Sequence, residues 1–244
     1  MPAEPQVRIF ASAEHLFRAD AENFCRLGSQ AIRDRGRFAV ALSGGSTPRG
    51  LHEELVRDFS SQLPWQDVFF FWSDERHVPP SDPESNYHMA NETLLSKLPI
   101  PSDHVFRIPA EMPDAGDAAQ AYERTLHDFF RPAANSFPRF DLILLGMGPD
   151  GHTASLFPGT TALAENRHWV VPNWVEKFST FRITFTYPVL NQAANVMFLV
   201  SGADKATMVG RALKDPAANL PCQGVRPVDG ELIWFLDQAA AAKL

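Results

Sequence analysis

The 244-residue sequence predicts an α/β protein: a mostly parallel, doubly wound, Rossmann-like sheet with helices on both faces. Three observations carry that prediction. Short apolar runs recur at residues 38–42, 68–72, 142–145, 196–200 and 232–236, near-continuous rather than alternating, as strands covered on both faces read. Stretches of helical periodicity separate them, which implies right-handed crossovers between parallel strands. Four of the runs stop at chemically loaded stretches, beginning at Ser43, Ser73, Gly146 and Ser201. In an open parallel sheet ligands bind beyond the carboxyl ends of the strands, so the fold would gather these four along one edge. One domain over residues 1–244 is expected.

Taken in order, Ser12 caps a helix over 13–34 in which Leu16, Ala19, Phe24, Leu27 and Ile32 recur near helical spacing, and Gly36 ends it. The strand 38–42 runs into Ser43-Gly44-Gly45-Ser46-Thr47-Pro48, with Pro48 suited to the first turn of an amphipathic helix ending near Phe59. Free N–H groups at that helix start, beside three hydroxyls, form an anion cradle in outline; a capped strand-to-helix turn is the plainer alternative, and no Walker lysine follows. The strand 68–72 leads into Ser73-Asp74-Glu75-Arg76-His77 and a proline-rich loop, after which Ser85-Asn86 cap a helix through Leu95. A charged surface loop is ordinarily just solvated, but this one again follows a strand. A short strand over 105–108 and a helix over 115–130 read as structural.

The stretch from Phe140 to Gly159 is the most informative: a buried strand, then Gly146-Met147-Gly148-Pro149-Asp150-Gly151-His152. Its glycines permit backbone geometries closed to other residues, and they present Asp150 and His152 as a carboxylate and imidazole pair fit for proton transfer. The same letters spell G-x-G-x-x-G. A dinucleotide site would need a carboxylate some 20 residues on, where Glu165 and Glu176 are badly placed, and it gives no role to Asp150 or His152. Strands at 169–171, 181–186, 196–200 and 232–236 follow, with Arg182 near the start of the second. Lys205 opens a helix reaching Leu213, where the dipole gives a cation no benefit, so a functional reason is favoured. Asp237 caps a closing helix.

A net charge of −7 without a basic tract argues against nucleic acid or an anionic membrane as partner. Cys25 and Cys222 are far apart and without metal-type spacing, which reads as two reduced thiols, no metal site and a cytoplasmic setting. Residues 1–10 lack the pattern of a secretory leader, and no apolar run approaches the ~18 residues of a membrane span. The final Ala-Lys-Leu resembles a peroxisomal Ser-Lys-Leu address, but it ends an alanine-rich tail that reads as helix. A monomer or weak homo-oligomer is expected.

Leu-Ser-Gly-Gly-Ser-Thr-Pro, Ser-Asp-Glu-Arg with Ser85-Asn86, and Leu-Gly-Met-Gly-Pro-Asp-Gly-His-Thr-Ala-Ser-Leu-Phe-Pro-Gly together resemble the 6-phosphogluconolactonase family, as do Arg182-Ile183-Thr184 and Gly202-x-x-Lys205. The resemblance implies cofactor-free hydrolysis of 6-phospho-glucono-1,5-lactone to 6-phosphogluconate, in the oxidative pentose phosphate pathway. It implies His152 as general base and then acid, Asp150 as its orienting carboxylate and Arg76 as a cation for the oxyanion or substrate hydroxyls. It implies substrate or phosphate contacts from Ser43, Gly44, Gly45, Ser46, Thr47, Asp74, Glu75, Asn86, Ser155, Arg182 and Lys205. Glucosamine-6-phosphate deaminases are similar up to His152 but carry a glutamate where this chain has Phe157, and a tyrosine where it has Arg76. A sugar-phosphate isomerase or deaminase, or a non-catalytic sensor, are the alternatives. The chain departs from the lactonase pattern at Phe178-Ser179-Thr180-Phe181, where a more proline-rich approach to Arg182 is expected. No G-x-S-x-G elbow is present, so a serine nucleophile is not expected.

Overall fold

The structure, a computed structural model, describes residues 4–134 and 136–244; residues 1–3 of the stretch read for a leader lie outside them. Six strands form one parallel sheet in the order β1-β9-β8-β5-β2-β3. They are β1 (Gln6–Phe10), β2 (Phe38–Leu42), β3 (Val68–Trp72), β5 (Leu142–Leu145), β8 (Asn195–Val200) and β9 (Glu231–Asp237). Every residue of β2 and of β5 is buried, as their unbroken apolar sequences require. The chain leaves β2 for β3 on one side and later returns to place β5 on the other, so the strand order reverses between β2 and β5, where a crevice opens.

The two faces are covered by different helices. In the β2–β3 register Phe38 shares a face with Val68 and Phe70, and Phe69 and Phe71 point the other way. Helix α1 (Ala13–Arg35) packs Phe24 against Phe38 at 5.2 Å, with α2 (Ser46–Asp58) beside it. On the opposite face α4 (Ala115–Phe130) brings Phe129 to 5.0 Å from Phe71. The Tyr122 hydroxyl of α4 accepts the Trp72 N–H at 2.9 Å, fixing the helix to the end of β3. Helix α1 ends where expected, at Gly36 in the left-handed region with its N–H on the Ile32 carbonyl at 2.8 Å. The bounds of α3 (Asn86–Thr93) and α6 (Ala206–Lys214) lie within two residues of those predicted.

Three expectations are corrected, and two elements were not foreseen. Residues 105–108 form no strand; Val105 makes an isolated bridge to Phe70. Asp237 does receive the Ala240 N–H at 2.7 Å, but turns rather than a helix follow it. The sequence also left out β1 and the six-residue helix α5 (Tyr187–Gln192). Most consequentially, the charged stretch after β3 is not a loop. Asp74–Arg76 is strand β4, antiparallel to β7 (Thr180–Phe185), which pairs with β6 (Val170–Val175) in a second, three-stranded sheet ordered β4-β7-β6. Pro172 is tolerated because β6 is an edge strand. Ser73 joins the two sheets: its N–H donates to the Leu42 carbonyl of β2 at 3.0 Å, and its carbonyl accepts the Phe185 N–H of β7 at 2.8 Å. No helix of the described residues is long and apolar enough to cross a membrane.

Candidate active site

The ends of β2, β3 and β5, the small sheet and the start of α6 surround a cavity of about 310 Å³. All four loaded stretches therefore meet, as the parallel topology predicts.

The β5 loop supplies Asp150 and His152. Gly151, at φ +79°, turns the chain, its N–H on the Gly148 carbonyl at 3.0 Å, and the Gly148 N–H returns to the His152 carbonyl at 2.9 Å. The role of Gly148 is space rather than backbone freedom: a Cβ there would lie 1.9 Å from the His152 ring. Asp150 Oδ1 and His152 Nδ1 are 2.5 Å apart. A carboxylate only accepts, so Nδ1 carries the hydrogen and Nε2 keeps its lone pair. No partner holds Nε2 among the described residues, and the imidazole lines the cavity. Phe157 stacks on the imidazole at 4.0 Å and 24°. Burial pulls the imidazole below its ordinary pKa against the opposing pull of Asp150, which favours the neutral ring a base requires. Burial pushes the Asp150 carboxyl up, but the hydrogen bonds and charge from His152 outweigh it, leaving it below the usual carboxylate range.

The small sheet supplies the cations. Arg76 and Arg182 are directly paired across β4 and β7, and both line the cavity. Neither has a carboxylate partner within 4 Å among the described residues. Arg76 donates to the Glu84 carbonyl. Burial and the neighbouring Arg76 hold the Arg182 guanidinium below its ordinary value. Asp74, Glu84 and Glu75 act on Arg182 only from a distance, so two adjacent guanidiniums with no carboxylate in contact can receive an anion. Lys205, just before α6, reaches the same cavity from the parallel sheet, with Asp204 at 3.5 Å.

The remaining predicted residues divide. Ser43, Gly44, Gly45, Asp74, Asn86 and Ser155 line the cavity. Asp74 Oδ2 accepts the Ser155 hydroxyl at 2.6 Å, and its backbone carbonyl accepts the Asn86 amide at 2.9 Å. Asn86 lies close against Gly44, where a Cβ would meet its Oδ1 at 1.8 Å. Gly45 is the N-cap of α2 and brings no side-chain cap, so the positive helix end is open toward the cavity. Ser46 and Thr47 begin the helix and do not line the cavity. Glu75 is turned away altogether. Its two oxygens accept the N–H groups of Arg76, Asn86 and Tyr87 and the Ser85 hydroxyl, at 2.7 to 2.9 Å. Burial raises its pKa against those donors, and its place is at the start of α3 rather than against substrate.

Met147 and Phe178 also line the cavity and were not predicted. Met147 stood inside the glycine-rich loop. Phe178 stood in the segment that departed from the expected pattern, which proves to be the end of the β6–β7 turn and the first residues of β7. Ala154, another lining residue, adopts φ +45°, a strained conformation of the kind that collects at functional sites. Among the described residues no three His, Cys, Asp or Glu side chains are grouped to hold a metal ion.

Residues 11–234 match the family model described as glucosamine-6-phosphate isomerases/6-phosphogluconolactonase. The chain is 43% identical over 217 residues to a 6-phosphogluconolactonase of Nostoc sp., covering 88% of each protein. It is 40% identical over 242 residues to that of Synechocystis sp., covering 98% of each. Among solved structures, the 6-phosphogluconolactonase of Trypanosoma brucei superposes with a TM-score of 0.88 at 30% identity, over 99% of both chains.

Proposed function

Because the chain belongs to the family of glucosamine-6-phosphate isomerases and 6-phosphogluconolactonases, we propose that it hydrolyses the 1,5-lactone of 6-phosphogluconate to the open acid by His152 acid/base catalysis without a covalent intermediate. The observation that carries the reading is the Asp150–His152 pair, its Nε2 free at a cavity that two guanidiniums without a carboxylate in contact also line. A lactone is an ester. Its hydrolysis requires a base for water, stabilisation of the tetrahedral oxyanion and a proton for the departing ring oxygen. The His152 Nε2 takes a proton from water as the oxygen attacks the carbonyl carbon. The resulting imidazolium, held by Asp150, returns that proton to the ring oxygen as the C–O bond breaks, so one histidine serves both transfers and ends neutral.

Arg76 is placed for the oxyanion or the neighbouring hydroxyls. Arg182, Lys205 and the open α2 terminus form the phosphate end. Asp74, locked by Ser155 and Asn86, is placed to receive substrate hydroxyls. Glu75, Ser46 and Thr47 act by shaping α3 and α2. A deaminase reading is disfavoured by Phe157, which covers the imidazole with a ring where deaminases carry a carboxylate. The proposal includes a single lactonase domain and a cytoplasmic setting, consistent with two buried free thiols.

The test follows lactone loss above its spontaneous rate for the wild type and His152→Ala, with glucosamine 6-phosphate as the contrasting substrate. Hydrolysis that depends on His152, with no ammonia released from the amino sugar, is expected. Ammonia release, or a rate indifferent to His152, would overturn the assignment.

A further inference from the structure

The turn between β6 and β7 carries an exposed lysine that the mechanism above does not use. The Lys177 Nζ lies 3.6 Å from Asp150 Oδ2, the oxygen that His152 leaves free. It sits 5.3 Å from the centre of the Phe178 ring, and the Arg182 guanidinium lies at the same distance from that ring. Phe178 meets Phe157 edge-on at 5.9 Å, and Phe157 stacks on His152. The turn is pinned by Ser179 in the left-handed region, its N–H on the Glu176 carbonyl at 3.0 Å. The hairpin tip thus touches both members of the acid/base pair, Asp150 through a charge and His152 through two rings.

We propose that Lys177 is a positioning residue for the reaction, its ammonium holding the second oxygen of Asp150 so that the Asp150–His152 pair keeps its orientation and the imidazole stays uncharged. The inference rests on His152 being the base.

The charges around His152 oppose one another, with burial the largest influence and Lys177 a smaller one in the same direction. Asp150 from its own loop and Asp74 from β4 both favour protonation of the imidazole. A base carrying that proton is inert. Burial opposes protonation, and Lys177 from the hairpin turn opposes it too. Arg76, Arg182 and Lys205 line the same cavity from β4, β7 and the start of α6. Lys177 differs from these three in being tied to Asp150 itself, so it offsets the carboxylate without reducing its grip on Nδ1.

The experiment compares kcat/KM at pH 6 and pH 8 for the wild type, Lys177→Met, Lys177→Arg and Lys177→Glu, alongside an NMR titration of His152 assigned by the spectrum of His152→Ala. Loss of the cation should raise the proton affinity of His152. Lys177→Met should therefore enlarge the ratio of activity at pH 8 to that at pH 6 by about threefold. Lys177→Glu should enlarge it further, and Lys177→Arg should restore it. Asp150→Asn should move the His152 titration in the opposite direction. Because the ratio is compared between variants on one substrate, ionisation of the substrate phosphate cancels. A uniform fall in rate with an unmoved ratio and an unmoved titration would show Lys177 to be structural only and overturn the proposal. Activity surviving in His152→Ala would instead remove the base assignment on which it stands, so the two failures are distinct.

Discussion

The two sheets of this protein contribute opposite things to one cavity. The six-stranded sheet is parallel and apolar and is buried in its central strands; it delivers backbone: the open start of α2, the glycine turn that aims His152 and the lead into α6. The three-stranded sheet is antiparallel and short, with a polar strand Asp74–Arg76. It delivers charged side chains, Asp74, Arg76 and Arg182, and the hairpin tip with Lys177. It also leaves Trp174, Phe178 and Phe181 exposed, where the large sheet exposes only Val7 and Ile9 of its edge strand β1. The difference teaches that a parallel sheet buried on both faces can hold reactive groups only beyond its strand ends, whereas a short antiparallel ladder bordering a cavity can carry charged side chains along its length.

The largest test of this division is on the large sheet's side. His152→Ala should lower kcat by about 10² to 10⁴-fold with KM little changed, because the imidazole acts on water and the ring oxygen. A fall in affinity of similar size would place His152 among the binding groups. Next come the cations from the two sheets. Arg182→Ala and Lys205→Ala should each raise KM for the phosphorylated lactone by about tenfold to a hundredfold, and should affect unphosphorylated gluconolactone less. If Arg182→Ala harmed both lactones equally in a folded enzyme, the small sheet would belong to the chemistry and the division would be redrawn.

Two smaller tests ask whether the scaffold is electrically silent. Asp20 on α1 is fully buried with neither oxygen bonded, and burial pushes its carboxyl well above the usual range. The folded state then holds a proton that the unfolded state releases, so the stability this group gives is full at low pH and is lost as pH rises. The near-isosteric Asp20→Leu should stabilise by about 1 to 3 kcal/mol at pH 7, with a smaller gain near pH 4, measured by urea denaturation. His52 on α2 has the reverse sign. Burial and Arg49 pull it down to about 3, so its contribution is present above its unfolded value and is lost as pH falls through that range. Between pH 7.5 and 5, His52→Leu should lose about 2 kcal/mol less stability than the wild type. An equal loss in both proteins would mean that the imidazole is solvated. The smallest expected effect is none: activity should survive exhaustive chelation, and its return on adding metal would count against the site as described.

The large sheet was legible because its strands are written as uninterrupted apolar runs with helices between them, and because each loaded stretch began where a run stopped. Two strands of the small sheet were legible as well, near 169–171 and 181–186, but β4 was not, because Asp74–Arg76 has no apolar residue to reveal a period and its strand is made by pairing with β7. β1 was overlooked for a related reason: its apolar positions, Val7 and Ile9, face solvent, so its alternation does not mark a core. In the site, the residue types were readable but their directions were not. Glu75 sits in the same motif as Asp74, yet strand alternation sends it to the opposite side, where it meets the start of α3. Lys177 lay just before the segment whose pattern was unfamiliar, and nothing in its spacing linked it to Asp150, 27 positions earlier.

Ser73 gives this division a mechanical side. Its peptide group is bonded on one side to β2 and on the other to β7, so a single residue belongs to the ladders of both sheets. Pulling the sheets apart would break buried backbone bonds that no water stands ready to replace. The strand ends that carry the His152 loop and the two arginines are therefore held in register by main chain, and only side-chain rotamers vary the span between imidazole and guanidinium. The hairpin tip at Lys177 and Phe178 lies outside this clasp and is held instead by its own turn and by Asp150.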